Sequence, residues 1–124
     1  MTKRKRKKTR SFGELYIKNY LIENNIDYIK EYCFLDCLSE NGHPLRYDFF
    51  LPDYNLLIEF QGQHHYHPVN KGWRAKKITK QTQLRDVIKK NYAFNNKIAL
   101  LEIPYWEKDN IKQILDLLFD WSKL

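Results

Sequence analysis

The segment Leu56-Leu57-Ile58-Glu59-Phe60 constrains the fold more than any other part of the chain. A short run with one polar residue among apolar ones reads as a strand covered on both faces. Such a strand needs a layer above and a layer below. Upstream, Leu45 to Leu51 alternates as a second strand, with Leu45, Tyr47, Phe49 and Leu51 expected on one face. Pro52-Asp53-Tyr54-Asn55 lies between the two strands and carries turn chemistry, including an Asx-type turn. Downstream, Ile78 to Asn95 reads as a helix with Leu84, Val87, Ile88 and Tyr92 inward, and Lys97 to Ile103 reads as a strand stopped by Pro104. Strand, long helix and strand in that order fit a right-handed βαβ crossover.

The remaining elements complete two layers around a sheet. Ser11 to Asn25 is expected to be helical. Ser11 and Glu14 have the spacing of a capping box, and Leu15, Tyr16, Tyr20, Leu21 and Ile22 form the apolar face. Tyr28 to Phe34 is an aromatic and β-branched strand, and Glu40-Asn41-Gly42-His43 is a turn. Asp109 or Asn110 caps a last helix carrying Ile111, Ile114, Leu115, Leu118 and Phe119. The expected fold class is α/β, a mixed four-stranded β-sheet flanked by helices, in the order α-β-β-β-α-β-α. Residues 11–124 form one domain in this reading, consistent with 124 residues in total.

Charge separates a tail from this body. The formal net charge is +7. Lys3, Arg4, Lys5, Arg6, Lys7, Lys8 and Arg10 carry seven of the positive charges, and without them the chain has as many acidic as basic residues. Residues 1–10 therefore read as a basic flexible arm suited to phosphate contact on a neutral body. A solubilising or localisation tail is the alternative. No apolar run approaches the roughly 18 residues of a membrane span, so no membrane partner is expected. Cys33 and Cys37 make no disulfide framework and read as buried thiols, although a zinc site with a histidine is conceivable. A soluble protein of the cytoplasm is expected.

The hairpin brings two acids together. With the turn centred between Asp53 and Tyr54, paired residue numbers sum to 107. Asp48 then stands opposite Glu59 and Arg46 opposite Gln61, all four on one face. Opposed carboxylates repel and raise one pKa. A divalent cation relieves both effects, because hard metals prefer carboxylate oxygens. An ordinary salt bridge between one acid and Arg46 is the alternative.

These residues resemble the PD-(D/E)xK nuclease superfamily. The match is Asp48, then eleven residues on Glu59-Phe60-Gln61, with strand, turn, strand and helix in the family's order. Tyr47-Asp48-Phe49-Phe50-Leu51-Pro52 and Ile58-Glu59-Phe60-Gln61-Gly62, with His65 following, look nearest to one branch. That branch holds very-short-patch repair endonucleases and related phage homing endonucleases. Two positions depart from the pattern: Tyr47 stands where the family has proline, and Gln61 where it has lysine.

The resemblance implies a restriction-endonuclease-like fold and a metal-dependent DNA endonuclease. Asp48 and Glu59 would hold Mg²⁺, with Mn²⁺ substituting. Gln61 and His65 would position or deprotonate the nucleophile. Glu14 stands where related enzymes place a further acid, with a capping role as its alternative. Asp86, and less strongly Gln83, share one face of the long helix with Lys90 and stand where the branch places an acid or glutamine beside the metal. A solvated face with an Asp86–Lys90 pair is the alternative there. His64 and His67 read as loop histidines. Trp73, Arg74, Lys76 and Lys77, with Lys80 nearby, would contact DNA by stacking and phosphate binding, with an ordinary exposed basic loop and helix start as the alternative. One site per chain implies a homodimer if both strands are cut together. Two rival readings remain: a non-catalytic DNA-binding module on a nuclease fold, and a protein-interaction domain with a basic tail.

Overall fold

The computed structural model describes residues 12–63 and 72–120, without the side chains of Arg74 and Ala75. The arm from Lys3 to Arg10, Ser11 of the capping box, and His64, His65 and His67 lie outside the described residues. Chain order is α1 (Phe12–Glu23), β1 (Ile29–Leu38), β2 (Pro44–Leu51), β3 (Leu56–Gln61), α2 (Trp73–Asn95), β4 (Ala99–Pro104) and α3 (Ile111–Phe119). This is the expected mixed α/β order. The four strands form one sheet in the order β1-β2-β3-β4. β1–β2 and β2–β3 are antiparallel, while β3–β4 is parallel, joined through α2.

Every residue of β3 is buried. Leu56, Ile58 and Phe60 pack with Ile17, Tyr20 and Leu21 of α1 and Ile111 and Leu115 of α3. Leu57 packs on the other face with Ala93 of α2. The two-sided cover read from sequence is therefore present. The turn after β2 is a short 3-10 segment, Pro52–Tyr54, closed by Asn55 in the left-handed region. The Asn55 side chain donates to the Lys97 carbonyl at 3.0 Å, tying the hairpin to the start of β4. Among the described residues no helix is long and apolar enough to cross a membrane.

Two helical faces differ from expectation. On α1 the buried residues are Gly13, Ile17, Tyr20 and Leu21, while Leu15, Tyr16 and Ile22 are exposed. The cause is Gly13: a Cβ there would overlap the Phe60 ring, so the helix approaches β3 on its glycine side. On α2, Ile88 and Tyr92 face the sheet as expected and Ala93 joins them, but Leu84 and Val87 are exposed. Tyr105–Asn110 forms a 3-10 helix leading into α3. Gly13→Ala is expected to cost about 1–3 kcal/mol through overpacking. Its melting temperature should fall by roughly 4 °C per kcal/mol for a domain of this size. An unchanged melt would show that α1 does not need the close approach.

Candidate active site

The expected register is present where the hairpin ladder is closed: Phe49↔Ile58, Phe50↔Leu57 and Leu51↔Leu56. Beyond it, β1 and β2 both reverse their faces at one level. Phe49 and Leu51 pack towards α1 and α3, whereas Leu45, Tyr47 and Phe50 pack towards α2. In β1, Lys30 lies over Phe49, whereas Tyr32 stacks on Phe50. Residues 30 and 32 would share a face in a regular strand. Glu31 between them has φ of +55°, which breaks the alternation. The register of β1 with β2, constant from Ile29 to Cys33, places Glu31 across from Asp48.

This reversal corrects two expectations. Leu45 and Tyr47 do not share a face with Phe49 and Leu51. Arg46, Asp48, Glu59 and Gln61 are not a single row either. Asp48 instead reaches along the sheet and accepts the Phe60 N–H at 2.8 Å, taking the place of a ladder hydrogen bond. Arg46 is turned away to Glu31, 3.9 Å off, with both side chains largely in water. The ordinary Arg46 salt bridge to one of the paired acids is therefore not formed.

Three acids meet at the break. Gly13 lets α1 sit close to Phe60, and the next residue, Glu14, hydrogen-bonds Asp48. Burial, with the neighbouring Asp48 charge, pushes Glu14 up to about 7. Burial and the charge of Glu59 push Asp48 up to about 7, against the opposing pull of the Phe60 N–H and Lys89. Glu59 is 6% exposed, and burial raises its carboxyl despite the nearby Lys89 ammonium. Acids in such a row share protons, so their titrations belong to the group rather than to one residue.

Lys89 was missed in the sequence. It projects from α2 and forms an ion pair with Glu59 Oε1, an oxygen that accepts no geometrically sound hydrogen bond. Its side chain is 12% exposed. The signal that would have found it is a three-residue shift of the stripe considered on α2. Asp86, Lys89 and Ala93 recur at i, i+3 and i+7, and Ala93 is buried against the sheet. Asp86 is close enough for its charge to raise Glu59. Lys90, from the stripe originally read, pairs with Glu102 at 3.4 Å. Glu102 is a second residue not anticipated. It stands beside Glu59 in the parallel ladder, and the Gln61 amide donates to it. Gln61 is thus on the α2 side with Glu59 but is directed to β4.

Trp73 begins α2 and is 74% exposed, and Lys76, Lys77 and Lys80 on the next turns are exposed as well. The Cys33 and Cys37 thiols are free, and Cys37 lies 3.8 Å from the Tyr47 hydroxyl.

The acid cluster fits a hard divalent cation by its chemistry. Among the described residues no group of three or more His, Cys, Asp and Glu side chains forms a ready cage. Magnesium does not require one. It is commonly held by one or two carboxylates, with waters and substrate phosphate oxygens completing six positions. Asp48 and Glu59 could supply that pair, and burial disfavours the charged form of both carboxyls.

Comparisons with known proteins add little chemistry. No family model matches the chain, and no solved structure matches it. It is similar to an uncharacterised protein, 307L, of Invertebrate iridescent virus 6. The two are 31% identical over 72 residues, which is 57% of this chain and 36% of the viral protein. The chain thus spans about a third of that relative's length.

Proposed function

We propose that this chain is a metal-dependent DNA endonuclease on a restriction-endonuclease-like fold, of the PD-(D/E)xK kind. The observation that carries the reading is the convergence of Glu14, Asp48 and Glu59 at a break in the sheet, with Lys89 on Glu59. Acids held this way on two strands and a helix, at a cost in stability, are characteristic of functional sites. When bound, Mg²⁺ or Mn²⁺ would lower the pKa of water and neutralise charge on the phosphate. Asp48 and Glu59 would hold the ion. Lys89 would take the place left by Gln61, orienting the attacking hydroxide and balancing charge that develops on the phosphate. Glu14, Asp86, Gln61 and His65 are further candidates for positioning water or moving its proton.

The Gln61–Glu102 contact favours the non-catalytic DNA-binding reading, since it takes the family's lysine position out of the chemistry. A buried lysine arriving from α2 weighs against it. An oligonucleotide panel decides between them: duplex, mismatch, junction, flap, single strand and RNA, each with Mg²⁺, Mn²⁺ or a chelator. The endonuclease reading predicts cutting of a DNA substrate that stops with chelator. DNA binding with no cutting of any substrate in either metal would contradict it.

DNA contact would come from the arm, Lys3 to Arg10, and from Trp73, Arg74, Lys76 and Lys77. Deleting residues 1–10 is expected to weaken binding and flatten its salt dependence. Each lost phosphate contact removes about 0.9 from the slope of log K against log salt. Binding titrations at several salt concentrations check this, and an unchanged slope would leave the arm without a role.

A further inference from the structure

Tyr47 is the largest side chain with no exposure at all. It sits where the superfamily resembled above carries proline, and nothing in the proposed chemistry uses it. Besides the Cys37 thiol and the Phe34 ring, it holds one residue at two points. The Tyr47 hydroxyl donates to the Lys89 backbone carbonyl at 2.8 Å. The Lys89 ammonium stands 5.1 Å from the centre of the Tyr47 ring. The same ammonium pairs with Glu59. Tyr47 thus grips Lys89 at both ends, at its backbone by a hydrogen bond and at its charge by the face of the ring.

We propose that Tyr47 is a positioning residue that aims Lys89 at the Asp48–Glu59 pair, so that the two departures from the motif compensate each other. The inference rests on the endonuclease reading for the purpose of the aiming, though not for the clamp itself. A lysine on β3 would be placed by the strand. A lysine on a helix has a flexible four-carbon stem and can swing to solvent. Tyr47 removes that freedom because the face reversal at Asp48 turns residue 47 towards α2. A proline at position 47 could supply neither the hydroxyl nor the ring. Gln61, engaged with Glu102, leaves the approach of Lys89 to Glu59 clear.

The test uses the full chain with Tyr47→Leu, which removes both grips, and Tyr47→Phe, which keeps the ring and the core volume. Amine acylation with acetic anhydride, read site by site by mass spectrometry, reports how free Lys89 is. Exposed Lys76, Lys77 and Lys80 serve as internal references. Lys89 should react more slowly than these in the wild type. Its rate should rise about tenfold in Tyr47→Leu and by a smaller factor in Tyr47→Phe, with the references unchanged. In cleavage assays Tyr47→Leu should lower kcat about tenfold or more with little change in KM. Adding Gln61→Lys should restore much of that loss, and likewise that of Lys89→Met, since a strand-borne lysine needs no clamp. A purely packing role for Tyr47 would not be repaired by Gln61→Lys. Should Tyr47→Leu fail to fold, Tyr47→Phe carries the labelling test alone. Unchanged Lys89 labelling in a folded variant overturns the clamp, whether or not the protein cleaves. Absence of cleavage by the wild type counts against the endonuclease reading and leaves the labelling result to decide this one.

Discussion

Asp48→Ala and Glu59→Ala are each expected to lower cleavage by about three orders of magnitude or more, while DNA affinity measured without metal changes little. Loss of a carboxylate that holds the ion removes several kcal/mol of transition-state stabilisation, and about 1.4 kcal/mol corresponds to tenfold in rate. Affinity should persist because the proposed phosphate contacts lie on the arm and the start of α2. The alanine variants also disturb structure. Asp48→Ala leaves the Phe60 N–H without its acceptor. Glu59→Ala leaves the Lys89 ammonium buried without its partner. Asp48→Asn and Glu59→Gln keep the shapes and an accepting oxygen, so they should stay folded and be nearly as inactive. Steady-state cleavage alongside equilibrium binding separates the two effects. Wild-type rates in either isosteric variant would remove that residue from the site.

The same acids set how the metal-free protein responds to pH. Asp48 is pushed up from an ordinary 3.8 to about 7, and Glu14 from 4.5 to about 7. A carboxyl group raised on folding binds its proton more tightly in the native chain than in the unfolded one. Its contribution is therefore complete below the unfolded value and is lost as pH climbs through the folded value. Metal-free stability should fall between pH 4 and pH 8, most steeply between pH 5 and pH 7. Glu14 is only half-buried, so solvent screening discounts its share. A melting temperature about 5 °C lower at pH 8 than at pH 5 is a modest expectation. Asp48→Asn should flatten the profile and melt higher at pH 8. Mg²⁺ should raise the wild type at pH 8 by binding the native state, and the variant far less. Stability and activity then move in opposite directions at one residue. Melting curves across pH, with and without millimolar Mg²⁺, give the comparison. A wild type that gains stability from pH 5 to pH 8, with Asp48→Asn less stable, would mean that Asp48 is an ordinary paired carboxylate.

The sequence carried the sheet more fully than the site. β3 announced its two-sided cover through four apolar residues around Glu59, and the turn at 52–55 set the hairpin register found at Phe49↔Ile58. The face reversal was not legible. In β1 it coincides with Glu31 in a left-handed conformation, and nothing in glutamate marks that. The consequence was to group Arg46 with Asp48 and to put Tyr47 on the Phe49 face. The inner face of α2 was misjudged for a different reason. Leu84 and Val87 look like core residues, yet they stay exposed, while Ala93 joins the expected Ile88 and Tyr92 against the sheet. That rotation carries Lys89 inward, and an ammonium from a helix is invisible to a pattern that looks for lysine on the strand. Gly13 was likewise read only as part of a helix, although its missing side chain decides which face of α1 meets Phe60 and so where Glu14 stands.

The central claim is that Asp48 and Glu59 hold a divalent ion. Electron paramagnetic resonance of free Mn²⁺ during titration of the protein, with duplex DNA present and absent, counts bound ions directly. Wild type should show one saturable Mn²⁺ site per chain, tightened by DNA, because phosphate oxygens complete the coordination. Asp48→Asn and Glu59→Gln, both folded, should lose it. Saturable binding that survives in both variants, or none in the wild type even with DNA, would contradict the claim.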